Sequence, residues 1–167
     1  MKNILQYALG LVAVVAIIMW QTGYNPFAGS GKIGEVITLA EFKTLKKDLA
    51  SDGKRVALIA RGDIANSDVT IVLGRPMSLS FITPQEEYID HFELYRGDGK
   101  NEFFIPEKFT NKDLVLYDNE GKKHAYDENV IISFTMGKLN GNPQINPHTG
   151  GYDWAYKQIR IDPAPAQ

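Results

Sequence analysis

The first residues whose types and spacing suit chemistry are Asp90, His91 and Glu93. Side chains two apart in a strand point to the same face, so His91 and Glu93 offer two ligands to a metal ion. A zinc site needs three or four ligands. Because the sequence shows no third ligand nearby, we interpret His91 as a half-exposed histidine among carboxylates and predict no metal site.

Two further histidines, His124 and His148, would allow a copper site with Met136 in an exported protein. The three residues lack the close His-x-Met spacing that would support such a site, and Met136 alternates with apolar residues as a core side chain does. His124 lies in the segment KKHAYDE, which we interpret as an exposed hairpin turn. We therefore predict neither a metal nor another cofactor.

Paired carboxylates are the next candidates, and they occur at Glu86-Glu87, Asp90/Glu93 and Asp127-Glu128. Glycosidase chemistry needs two carboxylates across a cleft, one of them with a raised pKa. A hydrolase that uses the Asp90/Glu93 region is the weakest functional alternative. The chain has no Gly-x-Ser-x-Gly elbow, and its GSGK segment has proline where a phosphate loop needs the first glycine. These patterns favour a protein that is not an enzyme.

The most distinctive candidate surface is the loop at residues 137–151 together with the strand that follows it. A loop of this length is uncommon without a use. Protein interfaces and sugar sites both use aromatic side chains, so we predict a partner-binding surface formed by His148, Tyr152, Trp154 and Tyr156. The alternative is that Trp154 and Tyr156, which lie two residues apart, line the core face of the final strand.

Composition limits the remaining classes of function. The net charge is −2 and both signs are spread along the chain, so we predict no nucleic-acid partner. The 167 residues include no cysteine, which excludes disulfides, thiol nucleophiles and thiolate metal sites. An exported domain of this kind must be held together by packing alone.

An uncharged apolar run at residues 4–20 (ILQYALGLVAVVAIIMW) stands before everything else. As a helix it is roughly 25 Å long, at the short end for a bilayer core of about 30 Å. We predict a transmembrane signal anchor over residues 1–21. Lys2 precedes it and the next basic residue is Lys32, which predicts a cytoplasmic N-terminus and a periplasmic or extracellular C-terminal domain. A cleaved signal peptide and a buried core helix are the alternatives.

Small residues in the anchor permit close packing against a neighbouring membrane helix, namely Ala8, Gly10, Ala13 and Ala16. A linker rich in glycine, proline and asparagine follows at residues 22–35. The next 127 positions, residues 36–162, have the size of one soluble domain, and residues 163–167 form a flexible tail.

Within the soluble domain, Thr38 and Glu41 form a capping box that starts an amphipathic helix over residues 38–49. The hydrophobic period then changes to two, and short strands are predicted at residues 55–61, 69–73, 78–82, 88–96, 102–105, 113–118, 129–136 and 152–161. Proline at position 84 predicts a short helix over residues 84–90.

The predicted fold is therefore mainly β. A transmembrane helix and one amphipathic helix precede a small β-barrel of the OB type, with the helix at 84–90 between its strands, or an immunoglobulin-like sandwich. The predicted function is a single-pass, non-catalytic accessory or assembly subunit of a membrane or envelope complex. Its partners would be the lipid bilayer and other envelope proteins. The alternative is an exported domain that binds a saccharide or a metal.

Overall fold

A computed structural model describes residues 31–64, 75–139, 145–146 and 150–165. In these residues the protein is mainly β and has one α-helix. The predicted anchor with Ala8, Gly10, Ala13 and Ala16 lies outside the described residues, as do the predicted strand at 69–73 and His148. Within the described part, no helix has the length and apolar character needed to cross a membrane.

The elements follow one another in a simple order. They are β1 (Glu35–Val36), α1 (Leu39–Leu45), β2 (Arg55–Asp63), β3 (Met77–Ile82), β4 (Tyr88–Leu94), β5 (Phe103–Phe104), β6 (Val115–Tyr117), β7 (Lys123–Ala125), β8 (Val130–Lys138) and β9 (Trp154–Pro163). Short 3-10 helices lie at Leu49–Ser51 and Asn111–Asp113. The strand β9 includes Pro163, the first residue of the predicted tail, which pairs with Val130.

The larger sheet follows a Greek-key path in the order β4-β3-β2-β8-β9, with β1 paired in parallel to β2. The strands β2, β3 and β4 pair antiparallel in sequence, and β8 returns after a long connection to lie beside β2. The first part of β2 pairs with β8 and its end, from Arg61 to Asp63, pairs with β3. Among the described strands the sheets are not closed into a barrel, and β4 and β9 remain edge strands.

A three-stranded sheet, β5-β6-β7, occupies the connection from β4 to β8. It contacts the larger sheet on both sides. Gly97 N–H, in the segment that follows β4, donates to Phe103 O at 2.9 Å, and Asn119 N–H donates to Ile161 O of β9 at 2.7 Å. Leu114 and Leu116 are 1% exposed and join the common core. The gap between the two edge strands is therefore bridged at one end of the molecule.

The predicted helix at 84–90 is wrong, because these residues form a tight turn between β3 and β4 and then the start of β4 itself. Thr83 holds the turn. Its N–H donates to Glu87 O at 2.8 Å, and its hydroxyl accepts from the N–H of Glu87 at 3.1 Å. Glu86 has a φ of 67°, a left-handed conformation that an α-helix cannot contain. The connection is too short and too bent for a helical turn.

The helix α1 begins at the predicted capping box, in which Thr38 and Glu41 satisfy each other's backbone N–H groups. It ends at Leu45, four residues earlier than predicted. Asp48 explains this end, because its carboxylate accepts the Ala50 N–H at 2.9 Å. That N–H would otherwise continue the helix by donating to Lys46 O. The Lys46 carbonyl is thus left for another partner.

One hydrophobic core is shared by α1, the larger sheet and the three-stranded sheet. In β8, Val130, Ile132, Phe134 and Met136 are completely buried, which confirms the alternation read from the sequence. The ring of Phe134 packs edge-on against Phe42 of α1, with centroids 5.5 Å apart. It also lies 4.8 Å from Phe92 and 4.9 Å from Tyr156. These four rings fasten the helix to both edge strands.

Residues 31–35, placed in the linker by the sequence, are held against the sheet. Arg160 Nη1 donates to Gly31 O at 3.2 Å, and Arg55 Nε donates to Lys32 O. Gly34 N–H donates to the Ser133 hydroxyl at 3.1 Å. A side chain at Gly34 would collide with the backbone of β2, so this close approach requires glycine. The chain therefore enters the domain along a fixed path.

Candidate functional site

A cavity of about 520 Å³ lies between β4 and β9, where the two edge strands face each other without pairing. We call it the β4–β9 groove. Its lining comes from the end of α1, from β3, β4 and β9, and from the β8–β9 connection. The residues are Lys46, Ser78, Tyr88, Asp90, His91, Glu93, Leu139, Asn146, Asp153, Trp154, Ala155 and Tyr156.

Asp90 links the two walls of the groove. Its carboxylate accepts a 2.6 Å hydrogen bond from the Tyr156 hydroxyl of β9 and forms an ion pair with Lys46 at the end of α1. The Tyr88 hydroxyl lies 3.5 Å from the other oxygen of Asp90. Both Lys46 and Asp90 have largely buried side chains, 13% and 18% exposed. The carboxylate thus replaces the missing backbone pairing between the edge strands with side-chain contacts.

Burial raises the pKa of the Tyr156 hydroxyl above its ordinary value, and the negative charge of Asp90 raises it further. The same two causes, in the same order, raise the pKa of Tyr88. Both phenols therefore remain protonated near neutral pH. They act as hydrogen-bond donors in the groove rather than as bases.

A β-bulge shapes the wall formed by β4. Asp90 pairs with Phe81 and Tyr88 pairs with Ile82, so Ile89 is the extra residue. The bulge brings the Tyr88 ring against the His91 ring, with centroids 5.4 Å apart. A two-residue alternation alone would have placed these side chains on opposite faces.

His91 lies on the exposed side of this wall, as predicted. Its Nδ1 lies 2.9 Å from the Ser80 hydroxyl. Glu93 is also exposed. Across the described ranges there is no group of three or more histidine, aspartate or glutamate side chains arranged to hold a metal ion.

The aromatic residues predicted to bind a partner lie at the base of the β8–β9 connection. Trp154 is 8% exposed and belongs to the core, and its Nε1 donates to Lys46 O at 3.1 Å. Tyr152 N–H donates to the same carbonyl at 2.9 Å. Tyr152 and Tyr156 are partly buried against the core. Core packing, the alternative interpretation, describes Trp154 and Tyr156 well, and partner binding by the predicted residues stays a prediction.

The connection itself is ordered around Asn146 in its described part. Asn146 N–H donates to Gly151 O at 2.8 Å, and its side-chain amide donates to Asp153 Oδ1 at 3.0 Å. Gly150 N–H donates back to Asn146 O at 2.9 Å. With the two hydrogen bonds to Lys46 O, these contacts fix the base of the connection at the rim of the groove.

Sequence reasoning missed a second polar cluster, because His124 is not in an exposed turn. It lies in β7 and is 4% exposed. Its Nε2 lies 3.0 Å from Asp118 Oδ2 and its Nδ1 lies 3.2 Å from Glu128 Oε2. The other oxygen of Asp118 accepts the N–H groups of Glu120 and Lys122 at 2.8 and 2.9 Å. The alternation of Lys123, His124 and Ala125 would have indicated that His124 is buried, since it places the histidine side chain on the inner face of a strand.

Burial of Asp118 alone would raise its pKa. The hydrogen bonds from His124, Lys122 and Glu120 outweigh that effect and hold the pKa below its ordinary value. The carboxylate is therefore ionised and structural, closing the turn between β6 and β7. Met136, the copper ligand considered with His124, lies in the hydrophobic core.

A further cavity of about 580 Å³ lies between α1 and the start of β2. Its lining includes Ile37, Leu45 and Val56, so its floor is apolar. The exposed side chains of Ile33 and Val36 are nearby in sequence. The lining also contains the charged residues Glu35, Glu41, Lys54 and Arg55. The β4–β9 groove is the better candidate for specific recognition, because polar side chains from its two walls contact one another across the opening.

Comparison of the chain with protein-family models, with curated proteins and with solved structures finds no match. The groove combines protonated phenols, one ammonium group and carboxylates around an accessible aromatic ring. Such a lining can recognise a polar ligand or a protein segment by hydrogen bonding and stacking.

Proposed function

We propose that this protein is a single-pass, membrane-anchored, non-catalytic accessory or assembly subunit of a membrane or envelope complex. The uncharged run at residues 4–20 would hold it in the bilayer, and Ala8, Gly10, Ala13 and Ala16 would permit contact with a partner helix. The N-terminus would be cytoplasmic and the β-rich domain periplasmic or extracellular. Protein contacts, rather than nucleic acid, would define its partners.

We further propose that the β-rich domain is a partly open barrel of the OB type. The Greek-key order β8-β2-β3-β4 supports this, together with a fifth strand, β9, and a first long strand shared between two halves of the sheet. The Asp90–Tyr156 hydrogen bond supports it as well, because it draws the two edge strands together. In this family of architectures, ligands bind at the loops and strands around such an opening.

The functional proposal rests on the two hydrogen bonds that hold the base of the β8–β9 connection. One carbonyl, Lys46 O, accepts from both Tyr152 N–H and Trp154 Nε1. A connection that only linked two strands would not need this anchorage to a helix 108 positions away in the chain. These contacts fix the base from which the connection leaves the domain. A partner that binds the connection would therefore face a lower entropy cost.

The path of the chain into the domain supports the same proposal. Arg55 and Arg160 hold Gly31 and Lys32 against the sheet. If residues 1–21 are anchored in a bilayer, fewer than ten residues separate the anchor from this fixed point. The domain would then stay close to the membrane, where it meets the soluble parts of other membrane proteins.

The test is extraction of the tagged full-length protein from its native membrane in mild detergent. Mass spectrometry of the intact chain and of the proteins that co-purify with it then follows. We expect a chain that retains Met1, in a stoichiometric complex. Replacing residues 140–149 with glycine and serine should release the partner, whereas the double substitution Glu107→Ser and Lys108→Ser, at exposed positions in the β5–β6 connection, should not.

Two results would contradict the proposal in different ways. A soluble chain that begins near Gly31 and purifies alone would contradict both the membrane anchor and the role as a subunit of a complex. A complex that survives replacement of residues 140–149 would keep the subunit role and refute the assigned surface. Thermal unfolding of each variant shows that a loss of partner does not come from loss of the fold.

A further inference from the structure

The β4–β9 groove has the dimensions of a small-molecule site. Its volume of about 520 Å³ falls within the roughly 300–1,000 Å³ typical of ligand pockets. It is open because β4 and β9 do not pair at this end, whereas the three-stranded sheet fills the gap at the other end. The bulge at Ile89 turns the Tyr88 ring beside His91 at the groove wall.

The internal contacts of the groove show which groups remain for a ligand. The Asp90 carboxylate is engaged by Lys46 and Tyr156. Asp153 uses Oδ1 for the side chain of Asn146, so its second oxygen can accept another hydrogen bond. The carboxylate of Glu93 is exposed, and Tyr88 is 43% exposed. The groove thus offers carboxylate acceptors on both walls and one accessible aromatic ring.

Charge narrows the class of ligand. Three carboxylates, Asp90, Glu93 and Asp153, line the groove against one ammonium group, Lys46, so an anion such as a phosphate is disfavoured. The ammonium group of Lys46 already neutralises the Asp90 carboxylate. Only the exposed carboxylates of Glu93 and Asp153 are left to attract a cation, and water and salt screen that attraction. A neutral ligand with many hydroxyl groups fits, since hydroxyls donate to carboxylates and can pair with a histidine ring nitrogen in either tautomer.

We infer that the β4–β9 groove binds a neutral saccharide. The apolar face of one sugar ring lies on Tyr88, and sugar hydroxyls donate to Glu93 from one wall and to Asp153 from the other. Tyr156 and Lys46 hold the floor through Asp90 without contacting the sugar. This inference goes beyond the proposed subunit role and does not rest on it, because an anchored subunit and a free exported domain would present the same groove.

The test uses the full-length protein in a zwitterionic detergent, because detergents with sugar head groups would compete. Cellobiose, chitobiose and maltose are titrated separately and followed by saturation-transfer NMR and calorimetry. We expect at least one of them to bind in the millimolar range. Tyr88→Ala should weaken binding about tenfold through loss of stacking, and Glu93→Gln should weaken it through loss of a charged acceptor.

Tyr95 provides the matched control. It follows β4, is 44% exposed and does not line the groove. Tyr95→Ala should leave the affinity unchanged, and unfolding curves of all variants establish that the fold is kept. The inference fails if none of the three disaccharides binds, or if Tyr95→Ala weakens binding as much as Tyr88→Ala. A lysine-rich peptide that binds where the sugars do not would overturn it and assign the groove to a basic protein segment.

Discussion

The hydrogen bond from Tyr156 to Asp90 should contribute measurably to stability, and the substitution Tyr156→Phe tests this. The change removes the hydroxyl and keeps the ring that packs on Phe92 and Phe134, so it opens little space in the core. Lys46 still neutralises the carboxylate afterwards. The variant therefore isolates the 2.6 Å contact between the edge strands.

A hydrogen bond to a charged group contributes about 1.5–3 kcal/mol. We expect the lower end of this range, because the ion pair with Lys46 remains. A loss of about 1.5 kcal/mol corresponds to a fall in the melting temperature of about 3–6 °C for a domain of this size. Urea unfolding at pH 7, followed by tryptophan fluorescence, gives the free energy of unfolding directly.

The difference in stability between the wild type and Tyr156→Phe should depend on pH. The folded protein has a raised pKa at Tyr156, so the stabilisation is fully present below the ordinary tyrosine pKa and is lost as pH rises above it. Above a pH of about 10, the Tyr156 phenol ionises in the unfolded chain before it ionises in the folded protein. The free energy of unfolding of the wild type then falls by about 1.4 kcal/mol per pH unit because of this residue. Phenylalanine does not ionise. The stability curves of wild type and variant should therefore converge near pH of about 11.

Tyr126 is a suitable control, because its side chain is also partly buried against the core. Tyr126→Phe should cost less at pH 7 than Tyr156→Phe does. If Tyr156→Phe changed the free energy of unfolding by less than about 0.5 kcal/mol, the range of neutral surface changes, the hydrogen bond to Asp90 would not stabilise the fold. A stability difference that stayed constant up to high pH would equally contradict the raised pKa of Tyr156.

Two further substitutions test the interior. Asp118→Asn keeps the size of a side chain that is 2% exposed but removes the charge facing His124, so we expect a loss of about 2 kcal/mol at pH 7. Because the folded pKa of Asp118 is lowered, its stabilisation is lost as pH falls through that pKa, and unfolding curves at pH 7 and below 3.8 should show the difference shrinking. Phe134→Ala should cost about 3–5 kcal/mol in thermal unfolding, whereas Phe104→Ala, at a position 41% exposed, should cost far less.

The sequence determined the parts of the fold that depend on local pattern. The capping box at Thr38 and Glu41 starts α1 where it was predicted, and the alternation of β8 identifies its four buried residues. A hydrophobic period and a cap are read over a few neighbouring positions, so they need no knowledge of the rest of the chain. The alternative interpretation of Trp154 and Tyr156 as core residues of the final strand also came from local pattern, and both residues pack against the core.

Part of the candidate site could also be read from the sequence. Asp90 and Glu93 were recognised as a carboxylate pair, and they lie in the groove. Lys46 was not recognised as part of the groove, because the helical pattern placed it among the lysines of the solvated face. Its carbonyl became available only when Asp48 ended the helix, and its ammonium group finds Asp90 forty-four positions later.

The tertiary structure alone decided the rest. It buried His124 between two carboxylates and replaced the predicted helix at 84–90 with a turn between β3 and β4. It also joined the predicted strands near 102–105 and 113–118 with β7 in a separate three-stranded sheet. It also brought Tyr156 to Asp90 across 66 positions and Trp154 to Lys46 across 108. Periodicity states which face of a strand is apolar, but it does not state which strand lies beside it. That choice depends on the packing of the whole core, and the groove is a consequence of it.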